Sequence, residues 1–210
     1  LKPDDFEVIE SPMPSVGPNQ VLVESHYLSV DAALRLIVRD SDEFLFRVRP
    51  GDVVHGSIAG RVIESNNSEF HVGDFVTGSL GVQQYCVAEG EALEKCDVSQ
   101  SPLSTWLGGF GVSGLTAYFA LIEECKPQPG QTVVINGAAG AVGSMAGQIA
   151  KLAGARVIGI TGSDEKCGWL VDTLGFDHAI NYHTENWYES LVELAPDRVD
   201  VIFDNVGGQI

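Results

Sequence analysis

The chain has few basic residues. It holds 12 Lys and Arg against 29 Asp and Glu, which gives a formal net charge of −17 at pH 7. A charge of this sign and size argues against partners that need a positive surface, such as nucleic acids and anionic membranes. No apolar run approaches the roughly 20 residues of a membrane-spanning helix. We therefore expect a globular protein with neither a nucleic-acid nor a membrane partner.

Cysteine and histidine are also sparse, and neither forms a recognisable cluster. An even count of four cysteines could form two disulfides, but a chain that can bury a large core does not need them. Free thiols in a reducing cytoplasm are the simpler interpretation, so we expect a cytoplasmic protein. The spacing of zinc ligands is missing, and no metal site is predicted. The residues concerned are Cys86, Cys96, Cys125, Cys167, His26, His55, His71, His178 and His183.

Residues 132–161, TVVINGAAGAVGSMAGQIAKLAGARVIGIT, are the most informative stretch. The apolar, β-branched residues 132–136 and 156–161 are each typical of a buried parallel strand. Between them a Gly/Ala-rich turn leads into an amphipathic helix. Its apolar face is predicted to consist of Val142, Met145, Ala146, Ile149, Ala150 and Ala153. The order strand, turn, helix, strand predicts a βαβ unit that binds a dinucleotide.

The turn itself is A-x-G-x-x-G, formed by Ala138, Gly140 and Gly143. Small residues let the backbone approach a pyrophosphate, and the helix N-terminus then offers unpaired N–H groups to the anion. A P-loop is excluded because no Lys-Ser or Lys-Thr follows the last glycine. A Gly/Ala-rich turn without any ligand is the alternative, which the flanking strand and helix disfavour.

The end of the second strand indicates which dinucleotide binds. NAD sites usually place an acidic residue there to bind the ribose hydroxyls, whereas this chain has Thr161, Gly162 and Ser163. Lys166 falls in the first turn of the next helix, where a cation opposes the helix dipole unless an anion lies between them. The apolar face of this helix is predicted to consist of Cys167, Leu170, Val171 and Leu174. We interpret Ser163 and Lys166 as ligands of a 2′-phosphate, which favours NADP. An ordinary N-cap serine beside a solvated lysine is the alternative.

The remaining chain predicts two kinds of domain. Short strand-like runs separated by Gly, Pro, Asn and Asp precede residue 94 and indicate a small barrel. These runs are residues 21–23, 27–30, 58–63, 75–77 and 84–87, with a short helix or turn at 31–39. Residues 115–122 predict a helix with a Gly-rich entry, 179–182 and 199–204 predict a third and a fourth strand, and a helix carries Trp187, Leu191 and Leu194. The predicted segments are 1–101, a connecting region 102–130, and a dinucleotide-binding domain 131–210.

Several motifs resemble one family along nearly the whole chain. They include GVSGLTAY at 111–118, GSDEK at 162–166 and FDNVGG at 203–208, together with residues 28–31, 136–151, 174–177 and 180–182. With these motifs the chain resembles the zinc-independent medium-chain dehydrogenase/reductases, and within them the prostaglandin, alkenal and curcumin reductases. No Gly-His-Glu motif of the zinc-dependent relatives stands at residues 56–58.

The resemblance implies an α/β plus β fold, namely a GroES-like barrel followed by a Rossmann domain that is incomplete on its C-terminal side. It implies a cofactor, NADP, and reduction of the carbon–carbon double bond of an α,β-unsaturated ketone or aldehyde. The cofactor would contact the pyrophosphate-binding turn, the 2′-phosphate site and two residues near the nicotinamide. These implied contacts are Gly140, Ala141, Val142 and Gly143, then Ser163, Lys166 and Tyr182, and finally Thr116 and Asn205.

The resemblance leaves four matters open. The tyrosine that this group places near the reacting carbonyl belongs to a part of the domain that this sequence does not contain, so no catalytic residue is assigned. Residues 32–35 read Ala-Ala-Leu-Arg where the group usually has Pro-Tyr-Met-Arg, which leaves the enone undetermined. A quinone reductase and a non-catalytic NADPH-binding module remain as alternatives, and a homodimer remains as an alternative to a monomer.

Overall fold

The computed structural model describes residues 2–38 and 48–208. The chain forms two compact units, Leu1–Leu107 and Gly108–Ile210. In the described residues, every helix is too short or too polar to cross a bilayer.

The first unit is built on a five-stranded antiparallel sheet, which confirms the predicted barrel-like region. The strand order is β4-β1-β2-β3-β5. Its core consists of side chains from alternating positions, such as Val21, Val23 and Val76, all with no exposed surface. Its elements are β1 (Gln20–Leu28), α1 (Leu34–Ile37), β2 (Ile58–Ser65), β3 (Phe75–Gly78), β4 (Tyr85–Glu89) and β5 (Leu93–Lys95), with single turns of 3-10 helix at Pro3–Asp5, Gly90–Ala92 and Leu103–Trp106.

The strands predicted for this unit differ from the structure in two places. The runs 21–23 and 27–30 were predicted as separate strands, but β1 is continuous through the polar residues between them. Its pairing with β2 shifts register between Ser25 and Tyr27, so a bulge breaks the alternation that the sequence pattern depends on. β5 was not predicted because its three residues include two exposed charged ones. The predicted short helix at 31–39 is confirmed as α1, and residue 39 lies outside the described residues.

The second unit is a four-stranded parallel sheet covered by helices. The strand order is β8-β7-β6-β9, and each neighbouring pair is parallel. This arrangement confirms the predicted Rossmann-like sheet. Its elements are α2 (Val112–Tyr118), a π-helical segment (Phe119–Cys125), β6 (Thr132–Asn136), α3 (Ala141–Leu152), β7 (Arg156–Thr161), α4 (Asp164–Asp172), β8 (His178–Asn181), α5 (Trp187–Leu194) and β9 (Val201–Phe203).

The central strands β6 and β7 have the bounds that the sequence predicts. All five residues of β6 are buried, as are five of the six residues of β7. α3 packs on this sheet with Ala146 and Ala150 fully buried, which confirms its predicted apolar face. Gly147 lies against the ring of Phe176, where a side chain would overlap it. The small residues of α3 therefore let the helix lie close to the strands.

Three predictions for the second unit need correction. Val171 was placed on the apolar face of α4, but it is 37% exposed, and Leu170 carries the packing. The fourth strand was predicted over six residues, whereas β9 has three. Asp200, which precedes β9, contacts the start of β6 through its side chain. Its carboxylate accepts a 2.8 Å hydrogen bond from the Thr132 N–H. The predicted helix at 115–122 is α-helical only as far as Tyr118 and continues with π-helical hydrogen bonding.

Candidate dinucleotide-binding site

A cavity of about 250 Å³ lies at the carboxyl ends of β6 and β7 in the second unit. In a parallel sheet this edge is where ligands bind, beside the point at which the strand order reverses. The reversal occurs here at β6, which has β7 on one side and β9 on the other. The cavity is lined by Asn136, Gly137, Ala139, Gly140, Ile160, Thr161, Gly162, Lys166, Tyr182 and Val206.

The tight turn after β6 depends on Gly137. This residue has a φ of +59°, in the region that a side chain disfavours. A Cβ at Gly137 would also lie 2.7 Å from Cγ2 of Val206. Ala138, which stands at the first position of the A-x-G-x-x-G motif, is fully buried and donates its N–H to the Ile160 carbonyl at 3.0 Å. The glycine that the turn needs therefore comes one residue before the motif, and Ala138 is accommodated without strain.

The sequence predicts that an anion binds at the N-terminus of α3, where the Gly140 N–H donates a 2.8 Å hydrogen bond to the Gly137 carbonyl. Gly140 is the N-cap residue of α3, and Ala141, Val142 and Gly143 form the first turn. Their N–H groups belong to the four that an α-helix leaves without intrahelical partners. A Cβ at Gly143 would overlap the carbonyl of Gly137 and approach the Ala138 Cα at 2.8 Å. Glycine at this position is therefore required for the helix to start so close to the turn.

A short loop after β9 forms another wall of the cavity. The Asp204 carboxylate accepts hydrogen bonds from the N–H groups of Val206 and Gly207, both at 3.0 Å. Together with a hydrogen bond from the Asn136 side chain, these bonds lower the pKa of Asp204. The loop is thereby tied to the end of β6, and Val206 lies over the Gly137 turn.

Ser163 and Lys166 lie at the start of α4. Ser163 is the N-cap residue, and its hydroxyl accepts a 3.3 Å hydrogen bond from the Lys166 N–H. The Lys166 side chain lines the cavity and is exposed. Among the described residues, no carboxylate forms a salt bridge with its ammonium. The Lys166 charge is therefore available to an anion, while one acceptor position of the Ser163 hydroxyl is used by the cap.

Tyr182 directly follows β8. Its side chain packs against the apolar cluster that contains Ile160 and Ile180, and it also lines the cavity. A Cβ at Gly162 would lie 3.1 Å from the Tyr182 hydroxyl, so this hydroxyl reaches over the residue after β7. The His183 ring stacks at a tilt on the Tyr182 ring, with centroids 4.3 Å apart.

Six of the nine predicted contact residues are not among those lining the cavity, namely Thr116, Ala141, Val142, Gly143, Ser163 and Asn205. Ala141, Val142, Gly143 and Ser163 lie beside it at the starts of α3 and α4. Thr116 is exposed on α2, and its hydroxyl donates a 2.7 Å hydrogen bond to the Val112 carbonyl. Asn205 is exposed in the loop after β9, directly before Val206. Gly140, Lys166 and Tyr182 are thus brought together at the cavity, whereas Thr116 and Asn205 are not.

Sequence reasoning missed most of the remaining lining residues. Asn136 ends β6, and Ile160 and Thr161 end β7, so all three sit at the carboxyl edge of the sheet. A rule that treats the last residue of each parallel strand as a candidate would have found them. Val206 gives no such signal, because its position depends on hydrogen bonds in a three-residue loop.

These residues fit an adenine dinucleotide with a 2′-phosphate. Gly137 and Gly140 leave the turn open to a ligand, and a Cβ at Gly140 would lie 3.1 Å from the Gly137 carbonyl oxygen. The helix N-terminus of α3 suits a pyrophosphate, and the Lys166 ammonium suits a further phosphate. At the end of β7, where an acidic side chain would repel such a phosphate, the chain has the buried Thr161.

The comparisons with known proteins agree with this geometry. A family profile described as the N-terminal domain of an oxidoreductase matches residues 1–96, and one described as zinc-binding dehydrogenase matches residues 141–210. The chain is 43% identical to prostaglandin reductase 1 of Bos taurus over 98% of its length. It is 37% identical to the NADPH-dependent curcumin reductase of Escherichia coli over 99% of its length.

The chain belongs to the zinc-independent medium-chain dehydrogenase/reductases. It spans 61% of the length of the bovine relative and 60% of the bacterial one. In the part of the chain that the structure describes, no group of three or more His, Cys, Asp and Glu side chains could hold a metal ion. The crystal structure of CurA from Vibrio vulnificus in complex with NADPH superimposes with a TM-score of 0.92 at 37% identity, covering 100% of this chain and 62% of that one.

Proposed function

We propose that this chain is the larger part of an NADPH-dependent reductase of the carbon–carbon double bond in α,β-unsaturated ketones or aldehydes. The observation that carries the proposal is the cavity at the end of β6 and β7, which Lys166 lines beside the Gly-rich turn. Among the residues that the structure describes, no carboxylate forms a salt bridge with the Lys166 ammonium. The prostaglandin and curcumin reductases among its relatives support the substrate class.

We assign the first turn of α3, with Gly140, Ala141, Val142 and Gly143, to the pyrophosphate. Ser163, Lys166 and Tyr182 would hold the adenosine 2′-phosphate, and Thr116 and Asn205 stay proposed contacts of the nicotinamide side. The Ser163 hydroxyl can donate a hydrogen bond to a phosphate oxygen while it accepts from the Lys166 N–H. Residues 1–101 would be the GroES-like domain, 102–130 the connecting region and 131–210 the cofactor-binding domain.

NADPH, when bound, supplies a hydride that adds to the β carbon of the unsaturated carbonyl compound. The pair of the carbon–carbon double bond would form the new double bond between the α carbon and the carbonyl carbon, while the carbonyl π pair would move onto the oxygen to give an enolate. A proton from solvent or from an acid would then be added at the α carbon. The contribution that we assign to this chain is to bind the coenzyme, orient it and select it by its phosphate. Stabilisation of the enolate oxygen requires hydrogen-bond donors that we do not assign to any residue here.

The four cysteines support a reducing location. Cys86 and Cys96 are buried free thiols, Cys167 is partly exposed and Cys125 is exposed. Burial, together with the Glu94 charge, raises the pKa of Cys96 to about 11, so this thiol resists oxidation. We infer that the protein works in the cytoplasm, and a homodimer stays a prediction.

The experiment that tests the coenzyme site is a fluorescence titration of the chain and of Lys166→Ala with NADPH and with NADH. Loss of one phosphate-binding cation should weaken NADPH binding on the order of tenfold and leave NADH within about twofold. Lys151→Ala is the matched control, because the Lys151 ammonium pairs with Asp177 at 2.8 Å and does not line the cavity. An equal loss of both coenzymes in Lys166→Ala would contradict the assignment.

Turnover separates the three candidate functions. Oxidation of NADPH in the presence of an enone supports the proposed reductase, whereas oxidation only in the presence of a quinone supports the quinone reductase. Tight NADPH binding without turnover of either supports the non-catalytic module. No binding of either coenzyme would contradict the dinucleotide site itself.

A further inference from the structure

Asn181, the last residue of β8, connects the two segments that border the cavity on its phosphate side. Its side-chain amide donates a 2.8 Å hydrogen bond to the Asp164 carboxylate, in the first turn of α4. The oxygen of the same amide accepts a 3.1 Å hydrogen bond from the His183 N–H, directly after Tyr182. One side chain thus links the segment that carries Lys166 to the segment that carries Tyr182.

The main chain at Asn181 reinforces this link. Its carbonyl accepts hydrogen bonds from the Thr184 hydroxyl at 2.8 Å and from the Thr184 N–H at 3.1 Å. The backbone on both sides of Tyr182 is therefore fixed. Neither Asn181 nor Asp164 lines the cavity. Any effect of Asn181 on a bound ligand must act through the residues that it holds.

The hydrogen bond from Asn181 holds the negatively charged side chain of Asp164. Asp164 is the first residue of α4, an exposed carboxylate that comes two residues before Lys166. A carboxylate favours the positive end of a helix, which is also the feature that favours a phosphate there. An Asp164 side chain released from Asn181 would compete with a phosphate for that helix end and for the Lys166 ammonium.

We propose that Asn181 is a positioning residue that sets the preference for NADPH over NADH, by holding the Asp164 carboxylate outside the cavity and fixing the turn that carries Tyr182. This inference rests on the 2′-phosphate site proposed above. It assigns part of the coenzyme specificity to a residue that touches neither coenzyme.

The test uses the exchange of one amide and one carboxylate. Asn181→Asp keeps an acceptor for the His183 N–H but places a second carboxylate against Asp164. Asp164→Asn keeps an acceptor for the Asn181 amide and removes the charge. The double variant, Asn181→Asp with Asp164→Asn, restores a donor–acceptor pair with its direction reversed and the same net charge as the original chain.

Each variant is titrated with NADPH and with NADH by fluorescence, and the ratio of the two dissociation constants is compared. Asn181→Asp should weaken NADPH binding on the order of tenfold and change NADH binding by less than about twofold. Asp164→Asn should leave the ratio unchanged or raise it, and the double variant should recover most of the original ratio. Asn186→Asp is the charge control, because Asn186 is exposed at the N-cap of α5 and its side chain makes no capping hydrogen bond.

Thermal melting of every variant checks that the fold is kept. A purely structural role would lower the melting temperature of Asn181→Asp and weaken both coenzymes equally, which would overturn the proposal. Failure of the double variant to recover the ratio would also overturn it, as would an equal effect of Asn186→Asp. A native chain without any NADPH preference would overturn the 2′-phosphate site and this inference together. A native preference that Asn181→Asp leaves intact would overturn only the role of Asn181.

Discussion

β-Strands of the two units are covered to different extents. β6 of the second unit is buried at every position, whereas β1 of the first unit begins buried and ends exposed at Tyr27 and Leu28. A parallel strand with helices on both faces must be apolar throughout, so its sequence marks its bounds. An antiparallel strand with one solvated face depends on alternation, which a single bulge interrupts. The bounds of a strand that is buried on both faces can therefore be predicted from its sequence more readily than those of a strand with one solvated face.

Removing a side chain from the doubly covered sheet gives the largest expected effect. Ile158 in β7 has no exposed surface, so Ile158→Ala should cost about 2–5 kcal/mol in the free energy of unfolding. Ile202, on the edge strand β9, is 65% exposed, and Ile202→Ala should cost less than about 0.5 kcal/mol. Urea denaturation of both variants measures the difference. Similar costs at the two positions would mean that the sheet is not covered as described.

Substitution of a glycine that lies close to another backbone segment tests whether each unit can be destabilised separately. A Cβ at Gly143 would overlap the Gly137 carbonyl, and a Cβ at Gly60 in β2 would overlap the Glu24 carbonyl. Each substitution by Ala should destabilise its own unit by about 1–3 kcal/mol. Only Gly143→Ala should also abolish NADPH binding, because Gly143 stands at the helix N-terminus of the cavity.

Gly168→Ala is the control for these two variants. Gly168 lies inside α4, where a Cβ would meet only the Asp172 carboxylate at 3.8 Å. Ala is favoured over Gly in a helix by up to about 1 kcal/mol, so this variant should be slightly stabilised. Circular dichroism melts and an NADPH titration measure both properties. Loss of NADPH binding in Gly60→Ala would refute the separate response.

Ion pairs give a smaller contrast between the units. In the second unit, burial raises the pKa of Asp177, but hydrogen bonds from the Lys151 ammonium and the Val157 N–H outweigh it, so the net pKa is lowered. In the first unit, the hydrogen bond from Lys95 is the main cause that lowers the pKa of Asp74. A lowered pKa gives stability that is complete above the unfolded value of about 3.9 and is lost as pH falls through the folded pKa.

Asp177→Asn should therefore cost about 1 kcal/mol at neutral pH and nothing below both pKa values. Asp74→Asn should cost less, because its partner Lys95 is 49% exposed while Lys151 is 32% exposed. Denaturation of both variants between neutral and strongly acidic pH measures the two curves. A cost for Asp177→Asn that persists at the lowest pH would show that packing, and not the ion pair, is responsible.

The success of prediction from the sequence also differs between fully buried elements and elements with an exposed face. The bounds of β6 and β7 and the start of α3 after a Gly-rich turn were predicted correctly, because strand burial and small residues mark them directly. The motif that the sequence shows stands at Ala138, Gly140 and Gly143, whereas the positive φ of the turn falls on Gly137. Val171 was misplaced because helical spacing cannot tell a residue at the border of the apolar face from one inside it.

Residues of the candidate site could be predicted where they belong to one continuous motif, but not where distant segments of the chain meet. Gly140 and Lys166 belong to local motifs, and both line the cavity. Val206 lines the cavity because hydrogen bonds to Asp204, including one from Asn136, hold the loop after β9 in place. Asn181 in β8 acts through a hydrogen bond to Asp164 in α4. Hydrogen bonds between distant side chains leave no periodic signal in a sequence.

The position of β9 has a consequence for how the cavity is assembled as the chain folds. β6 pairs with β7 at Val133 and Val157, whereas its partner on the other side at that same residue is Val201. Closing the longer loop costs more chain entropy, and contacts between distant segments form slowly. The wall that Val206 provides therefore carries the largest ordering cost, while the turn and α3 can form within a local βαβ unit. The Gly-rich turn after β6 can therefore form before the loop that carries Val206 joins the cavity.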